Sequence, residues 1–436
     1  MIYISKGEVN KWLVCLGLAV FVAGLFASSA MAKVTVTYWE KWSGFEKKAM
    51  GEIVDDFNAS QNEIKVKFLS VAGIDVKTKT AIAGGNPPDV VGLWSYSVVP
   101  FAMNNALIPL DDYMKEAGIK EESYISSIWD LMYAQGKVWA LPSTPATMGY
   151  HYNKGMFQDA GLDPDKPPLT IAELNLYNEK LTQMDAEGNI IQMGFDPGWP
   201  GWFKYPWGWF FGGELYDAET QTITADDPNN IAAYEWINAL AEKYGRTNLM
   251  SFKSGYGGFG SPTNPFLAGK LAAVLQGVWE ANFIQTYASD MDWGVAAFPY
   301  GPNGKPDTTW VEADVLAIPT GAKHPDEAFE FIKYVQTQAA MEKLCLAQKK
   351  LTSLLATYNN PDFINNHPNP YIKFFFEQAM SPNAKIAPRV PIWSFYDKYM
   401  QVAFDNIIIG EVTPADALKE VTTTVQQELD KYKGMF

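Results

Sequence analysis

The chain has 436 residues and a formal net charge of −15, from 49 acidic against 34 basic side chains. That balance repels phosphate backbones and anionic lipid, which argues against nucleic acid as a partner and favours a neutral or cationic ligand. Aromatic residues make up 14% of the chain and include 15 tryptophans. One structural core does not require so many, and tryptophan suits surfaces that are half dry and half wet.

The first 32 residues read as an export leader. Lys6 and Lys11 precede an apolar run from Trp12 to Ser29, and Ala30-Met31-Ala32 offers the small residues that a signal peptidase reads. Cleavage after Ala32 is expected, leaving Lys33 first. A retained anchor fits less well, because the run is shorter than the roughly 20 apolar residues of a comfortable span. Cys15 lies behind Trp12-Leu13-Val14, a poor match to a lipoprotein acylation box. The leader carries a net +1, so the mature chain stands at −16 and keeps one cysteine, Cys345. No internal disulfide can then form, and a lone thiol in an apolar helical stretch reads as buried and inert. A mature chain of about 400 residues exceeds one ordinary core, so two lobes are expected.

Val34 to Trp39 alternates β-branched and polar residues and reads as a strand. Phe45, Ala49, Ile53 and Phe57 then recur on one face of a predicted helix over 45–59. Ile64 to Val71 is a second strand, and a helix near Lys77 to Ala83 ends at Gly84-Gly85-Asn86-Pro87-Pro88. Asp89 to Trp94 is short and nearly all apolar, as in a parallel sheet covered on both faces. This β-α-β-α-β start predicts an α/β, doubly wound sheet. Such sheets bind ligands beyond the carboxyl ends of their strands, where Trp39, Lys41 and Trp42 leave the first strand and Trp94 leaves the third.

Further helices are signalled by a capping box at Thr170 and Glu173, by Asp227-Pro228, by His324-Pro325-Asp326-Glu327, and by Thr413-Pro414-Ala415-Asp416. Two lobes without a linker or repeats imply lobes built from discontinuous segments. Between the first two of those signals, Trp199 to Gly213 crowds Trp202, Tyr205, Trp207 and Trp209 among glycines and prolines. Rings on so broken a segment cannot all hide in a core. A ligand-facing aromatic wall is the functional expectation, and a loop packed on its own lobe is the competing one.

In order, the chain carries Asp56-Phe57-Asn58; Gly85-Asn86-Pro87-Pro88-Asp89-Val90-Val91; Leu107-Ile108-Pro109-Leu110-Asp111; and Tyr150-His151-Tyr152-Asn153-Lys154. Phe211-Gly212-Gly213, Phe266 to Ala272 running on to Gly277-Val278-Trp279, and Ile318-Pro319 with Asp326-Glu327-Ala328 follow. In this order, over essentially the whole mature chain, the sequence resembles the periplasmic sugar-binding proteins of ABC importers, the maltose-binding-protein-like group. The resemblance implies a two-lobed periplasmic-binding-protein fold with a hinged cleft. Its lobes would be 33–145 with 300–349, and 146–299 with 350–436, with crossings near Pro142 to Gly149, Ala297 to Pro299, and Lys350. It further implies a small carbohydrate ligand, membrane permease subunits as partners, a periplasmic or extracellular location, a monomer and no cofactor. By position it carries over Lys41, Trp42, Trp94, Trp202, Trp279 and, more loosely, Trp393. Tyr150, Trp207, Glu280, Trp310, Glu312 and Arg389 complete the candidate binding residues. Glu312-Ala313-Asp314 stands where that group often has a glycine pair, and Lys350-Leu351-Thr352 lacks a proline often found there.

Other chemistry is less well supported. An exported glycoside hydrolase needs two carboxylates flanking the sugar bond, and Glu40, Glu280, Glu312 and Asp314 all lie near tryptophans, but acidic residues are abundant enough to do so by chance. His151, His324 and His367 form no metal-ligand pair, and a single mature cysteine cannot build a zinc cluster. A carrier for a cationic or peptide ligand stays open, because an acidic aromatic cleft would suit a cation.

Overall fold

The computed structural model describes residues 33–434; the leader and its expected cleavage site lie outside the described residues. Strand β1 (Val34–Glu40) is followed by α1 (Gly44–Ser60), β2 (Ile64–Ser70), α2 (Ile74–Ala83) and β3 (Val90–Trp94), the predicted order throughout. Alternation places Val36, Tyr38 and Glu40 of β1 on the buried side. Helix α1 buries Ala49, Met50, Ile53, Val54 and Phe57. Phe45, expected on that same face, is 38% exposed instead. It sits in the first helical turn, beyond the reach of the core.

The chain continues through β4 (Leu141–Asn153), α3 (Ile171–Leu181), β5 (Ile190–Phe195), α4 (Pro228–Tyr244), β6 (Leu271–Gly277), α5 (Glu280–Tyr287), β7 (Trp293–Ala296) and β8 (Thr309–Ala317). Helices α6 (Pro325–Val335), α7 (Gln338–Gln348), α8 (Ile372–Ala379), α9 (Trp393–Ile409) and α10 (Pro414–Leu429) complete it. The start signals act as their chemistry requires. Thr170 and Glu173 close a reciprocal capping box on α3, and the Asp227 and Thr413 side chains accept from Asn229 N and Asp416 N at the starts of α4 and α10.

The main sheet runs β2-β1-β3-β8-β4-β6-β5, with β7 also on β4. β1 is parallel to β2 and β3, whereas β8 is antiparallel to β3 and to β4. Strand β4 joins the two halves. Its Leu141–Thr147 stretch pairs with β8, and its Met148–Asn153 stretch pairs with β6 and β7. Two hydrophobic cores lie on either side of this shared stretch. The first takes β1 to β3, Val311 to Ala317 and α1, α6, α7 and α8. The second takes Met148 to Tyr152, β5, β6, α3, α4, α9 and α10.

The molecule is therefore an α/β protein with two lobes, but two segments pack with the other lobe than the sequence suggests. Residues 300–310 belong with the second core, because Tyr300 N and Gly301 N donate to Leu169 and Phe210 carbonyls and Trp310 is buried there. Residues 351–379 belong with the first. Leu351, Phe363, Phe375 and Phe376 are buried in it, and the Phe375 carbonyl accepts from Thr147 Oγ1 at 3.0 Å. The aromatic segment divides similarly. Pro206 to Phe211 forms a 3-10 turn whose rings enter the second core, so its expected wall shrinks to Trp202, Phe203 and Tyr205.

Gly212 ends that turn at φ +87°, and a Cβ there would overlap the Asn303 carbonyl. Gly161 has a comparable φ of +69° but open space around it. Gly212→Ala should therefore lose roughly 2–4 kcal/mol in urea denaturation, against about 1 kcal/mol for Gly161→Ala. Equal losses would contradict this packing.

Candidate functional site

The end of β1 carries a buried ion network. Glu40 is fully buried and accepts from Tyr38 Oη at 2.6 Å and from Lys41 N and Nζ at 2.8 and 3.1 Å. Gly92 of the neighbouring β3 makes the room, since a Cβ there would overlap the Glu40 carboxylate. Lys41 Nζ also donates to the Leu93 carbonyl at 3.1 Å and pairs with Asp314 Oδ1 at 2.8 Å. Asp314 Oδ2 receives Lys350 Nζ at 3.2 Å and Thr144 Oγ1 at 2.9 Å, and Lys350 reaches on to Glu46 at 3.0 Å. Burial works against ionising Asp314, but Lys41 and Lys350 outweigh it and hold the carboxyl down to about 2. Burial likewise opposes the charge on Lys350, and Glu46 and Asp314 overcome it.

The two ammonium groups stand 5.3 and 5.7 Å from the Trp42 ring centroid. Lys41 also stands 5.1 Å from the Trp94 ring, which stacks on Tyr96 at 5.7 Å and 9°. These groups form one wall of a cavity of about 600 Å³.

The facing wall comes from other segments. Trp310 and Glu312 alternate along β8 with Asp314 of the first wall, and all three reach the cavity, as period two requires. Trp393, Asp397 and Gln401 stand four residues apart along α9 and share one face. Tyr205 packs edge-on against Trp310 and Trp393 with centroids at 5.1 and 4.9 Å, and Phe203 meets Trp310 at 4.7 Å. Trp279 donates to Gln276 Oε1 at 3.0 Å and folds back over Gly277, where a Cβ would overlap its ring. That contact explains the glycine two residues before the indole. At the rim, Phe45 of the first lobe meets Phe283 of the second at 6.1 Å, and Phe283, Phe259 and Trp202 continue ring to ring at 4.5 and 4.7 Å.

Of the residues proposed from sequence, the cavity gathers Lys41, Trp42, Trp94, Trp202, Trp279, Trp310, Glu312 and Trp393. Four lie elsewhere. Tyr150 and Trp207 are enclosed in the second core, because Tyr150 faces inward from a strand buried on both sides and Trp207 sits in the 3-10 turn. Glu280 opens α5 one residue beyond Trp279 and is fully buried away from the cavity; burial pushes its carboxyl up to about 8. Arg389 is exposed and donates to the Asp130 carbonyl at 3.2 Å. Sequence reading missed Tyr96, Lys350, Asp397 and Gln401, and had Tyr205 only as part of the expected aromatic wall. Helical spacing from Trp393 could have found Asp397 and Gln401, whereas nothing local in the sequence signals that Lys350 pairs with Asp314. Among the described residues no group of three or more His, Cys, Asp or Glu is placed to hold a metal ion. Cys345 is buried and free.

The family described as bacterial extracellular solute-binding protein matches residues 43–342, well over half of the chain. The chain belongs to that family. The sn-glycerol-3-phosphate-binding periplasmic protein UgpB of Shigella flexneri serotype 5b is 30% identical over 183 residues, 40% of this chain and 41% of that protein. Its Salmonella typhi counterpart is 29% identical over 197 residues, 43% of each chain. The chain thus matches about two fifths of the length of these curated relatives. Among solved structures, CpMnBP1 with mannotriose bound superposes with a TM-score of 0.80 at 28% identity, covering 90% of this chain and 99% of that one. Maltose-bound MalE3 of T. maritima superposes at 0.76 and 20% identity, over 91% of this chain and all of that one, a likeness of fold.

The pH response of the site follows from Glu312. Burial raises its carboxyl to about 7, Asp314 adds to this, and Lys350 and Lys41 oppose it. A carboxyl held above its unfolded value binds its proton more tightly in the folded chain. Its stabilisation is complete below the ordinary value of 4.5 and is lost as pH rises through about 7. Glu312→Gln removes that loss. The decline in unfolding free energy of the unliganded protein between these pH values should become shallower by on the order of 1–2 kcal/mol. Parallel profiles for variant and wild type would contradict the assignment.

Proposed function

We propose that the protein is the extracytoplasmic solute-binding component of an ABC sugar importer, taking a di- or short oligosaccharide in the cleft between its lobes. The observation that carries this is the convergence of six tryptophans from separate segments on one cavity: Trp42, Trp94, Trp202, Trp279, Trp310 and Trp393. A pyranose has apolar C–H faces and hydroxyl edges. Indole faces take the former, and Glu312, Asp397, Gln401 and Tyr205 offer polar partners for the latter. The mannotriose in the 28%-identical structural neighbour supports a ligand of this class.

The glycerol phosphate of the curated relatives suits this cavity poorly. Its two cationic side chains, Lys41 and Lys350, are committed to Glu40, Asp314 and Glu46, so neither is free to neutralise a phosphate. Of the four carboxylates considered from sequence for hydrolysis, Glu40 and Asp314 are tied to lysines and Glu280 lies outside the cavity, so only Glu312 among them stands without an ion pair in it.

In this reading the protein acts after export, with the leader removed after Ala32. The sugar docks on one wall, and hinge motion brings the other onto it. The closed form prevails because the ligand contacts it better than the open form. The Phe45–Phe283 contact then bridges the mouth. A permease would read the closed shape of a monomeric binding protein, and no cofactor is involved.

Isothermal titration should give micromolar or tighter binding for at least one disaccharide or trisaccharide, with none detectable for glycerol 3-phosphate. The reverse order would overturn the proposal. Trp279→Ala and Trp310→Ala should each weaken that saccharide by about tenfold or more, with an unchanged circular dichroism spectrum. Unchanged affinity removes the residue from the site. Phe45→Ala should raise the dissociation rate several-fold and leave the association rate within about threefold; an equal change in both would mean that the rim contact does not retain ligand.

A further inference from the structure

Among the described residues, two carboxylates that line the cleft form no ion pair of their own. Lys41 and Lys350 are consumed at the first wall, yet Glu312 and Asp397 face the same cavity from β8 and α9. Glu312 makes no side-chain hydrogen bond among the described residues. Asp397 accepts from Gln401 Nε2 at 2.6 Å through one oxygen, and its other oxygen is buried without a partner. Lys204 acts on Asp397 from that side, but it is paired with Asp405 at 2.6 and 2.7 Å. Tyr205, 5% exposed and lining the cavity, keeps its hydroxyl buried and unpartnered; burial and the charges of Glu312 and Asp397 both push its proton affinity up. Tyr96, on the opposite wall, is affected by the same two carboxylates.

Two carboxylates without an ion pair therefore line one aromatic cavity beside a tyrosine hydroxyl that can donate or accept, and among the described residues only Gln401 donates to either of them. A neutral sugar hydroxyl brings one proton donor and no charge. An ammonium brings three donors and the missing positive charge. We propose that the cleft selects a saccharide carrying a free amino group, its ammonium seated among Glu312, Asp397 and Tyr205 while its ring faces stack on the tryptophans. This rests on the saccharide reading above and narrows it. Unliganded, the site holds its carboxyls high, Glu312 at about 7 and Asp397 at about 6, both chiefly through burial. An arriving ammonium favours their ionised forms, so binding near neutral pH should release protons into the buffer.

Titration calorimetry at pH 7 decides it with four probes: a glucosamine disaccharide, its N-acetylated form, mannobiose, and spermidine. The free-amine disaccharide should bind about tenfold or more tightly than the N-acetylated form and mannobiose, with a heat that varies with buffer ionisation enthalpy. In Glu312→Gln combined with Asp397→Asn the amine-to-neutral affinity ratio should collapse toward one. Should that variant misfold, the wild-type ratio and proton release still decide. Mannobiose binding as tightly as the amine overturns this inference and leaves the saccharide reading intact. Spermidine matching the glucosamine disaccharide overturns it in favour of a simple amine site. No saccharide binding at all overturns both readings.

Discussion

One carboxylate, Asp314, holds two lysine ammonium groups beneath an indole, and the character of the cleft follows from that arrangement. Lys41 comes from the end of β1, Lys350 from the segment after α7, and Asp314 from β8. Buried charges this close are sustained by added hydrogen bonds, and here Glu40, Glu46, Thr144 and the Leu93 carbonyl supply them. Removing Asp314 would leave both lysines without the carboxylate they share. The network sets two cations against the Trp42 ring and withdraws both lysines from service toward a ligand. The first wall thus presents flat apolar surface rather than positive charge, although it contains two lysines.

The second constraint is topological. β4 and β8 each serve both cores, so their central residues stand where the lobes meet. Trp310 belongs to the second core and Val311 to the first, and Glu312 and Asp314 continue the cavity-facing alternation across that boundary. Functional side chains sit on a rigid shared strand, while the outer rings of Phe45 and Trp202 stand at exposed chain turns. This division suits a protein that closes: a fixed floor and movable rims.

Much of this was legible in the sequence, for identifiable reasons. Alternation placed β1, a short apolar run placed β3, four-residue spacing placed the buried face of α1 apart from Phe45, and side-chain caps marked α3, α4 and α10 within a residue. Trp42 and Trp94 were found because they stand at the carboxyl ends of predicted strands, and Trp279 because the family resemblance carries it over from Gly277-Val278-Trp279. What failed was long-range. Trp207 looked like Trp202 in sequence, and only the packing of the 3-10 turn sends one inward and leaves the other exposed. Glu280 adjoins Trp279 yet points away from it into the interior. Residues 351–379 follow a lobe crossing in the expected scheme but pack back on the first lobe, a choice made by apolar contacts with elements two hundred residues distant and invisible to any local pattern.

The central claim is that indole faces from both lobes clasp a saccharide inside the cavity that this fold encloses. A crystal structure of the protein grown with its preferred disaccharide tests it most directly. The account predicts sugar rings stacked between Trp42 or Trp94 on one side and Trp310 or Trp393 on the other, with Lys41 and Lys350 still bound to Asp314. Sugar lodged outside the cleft, or a lysine turned from Asp314 to the ligand, would contradict it.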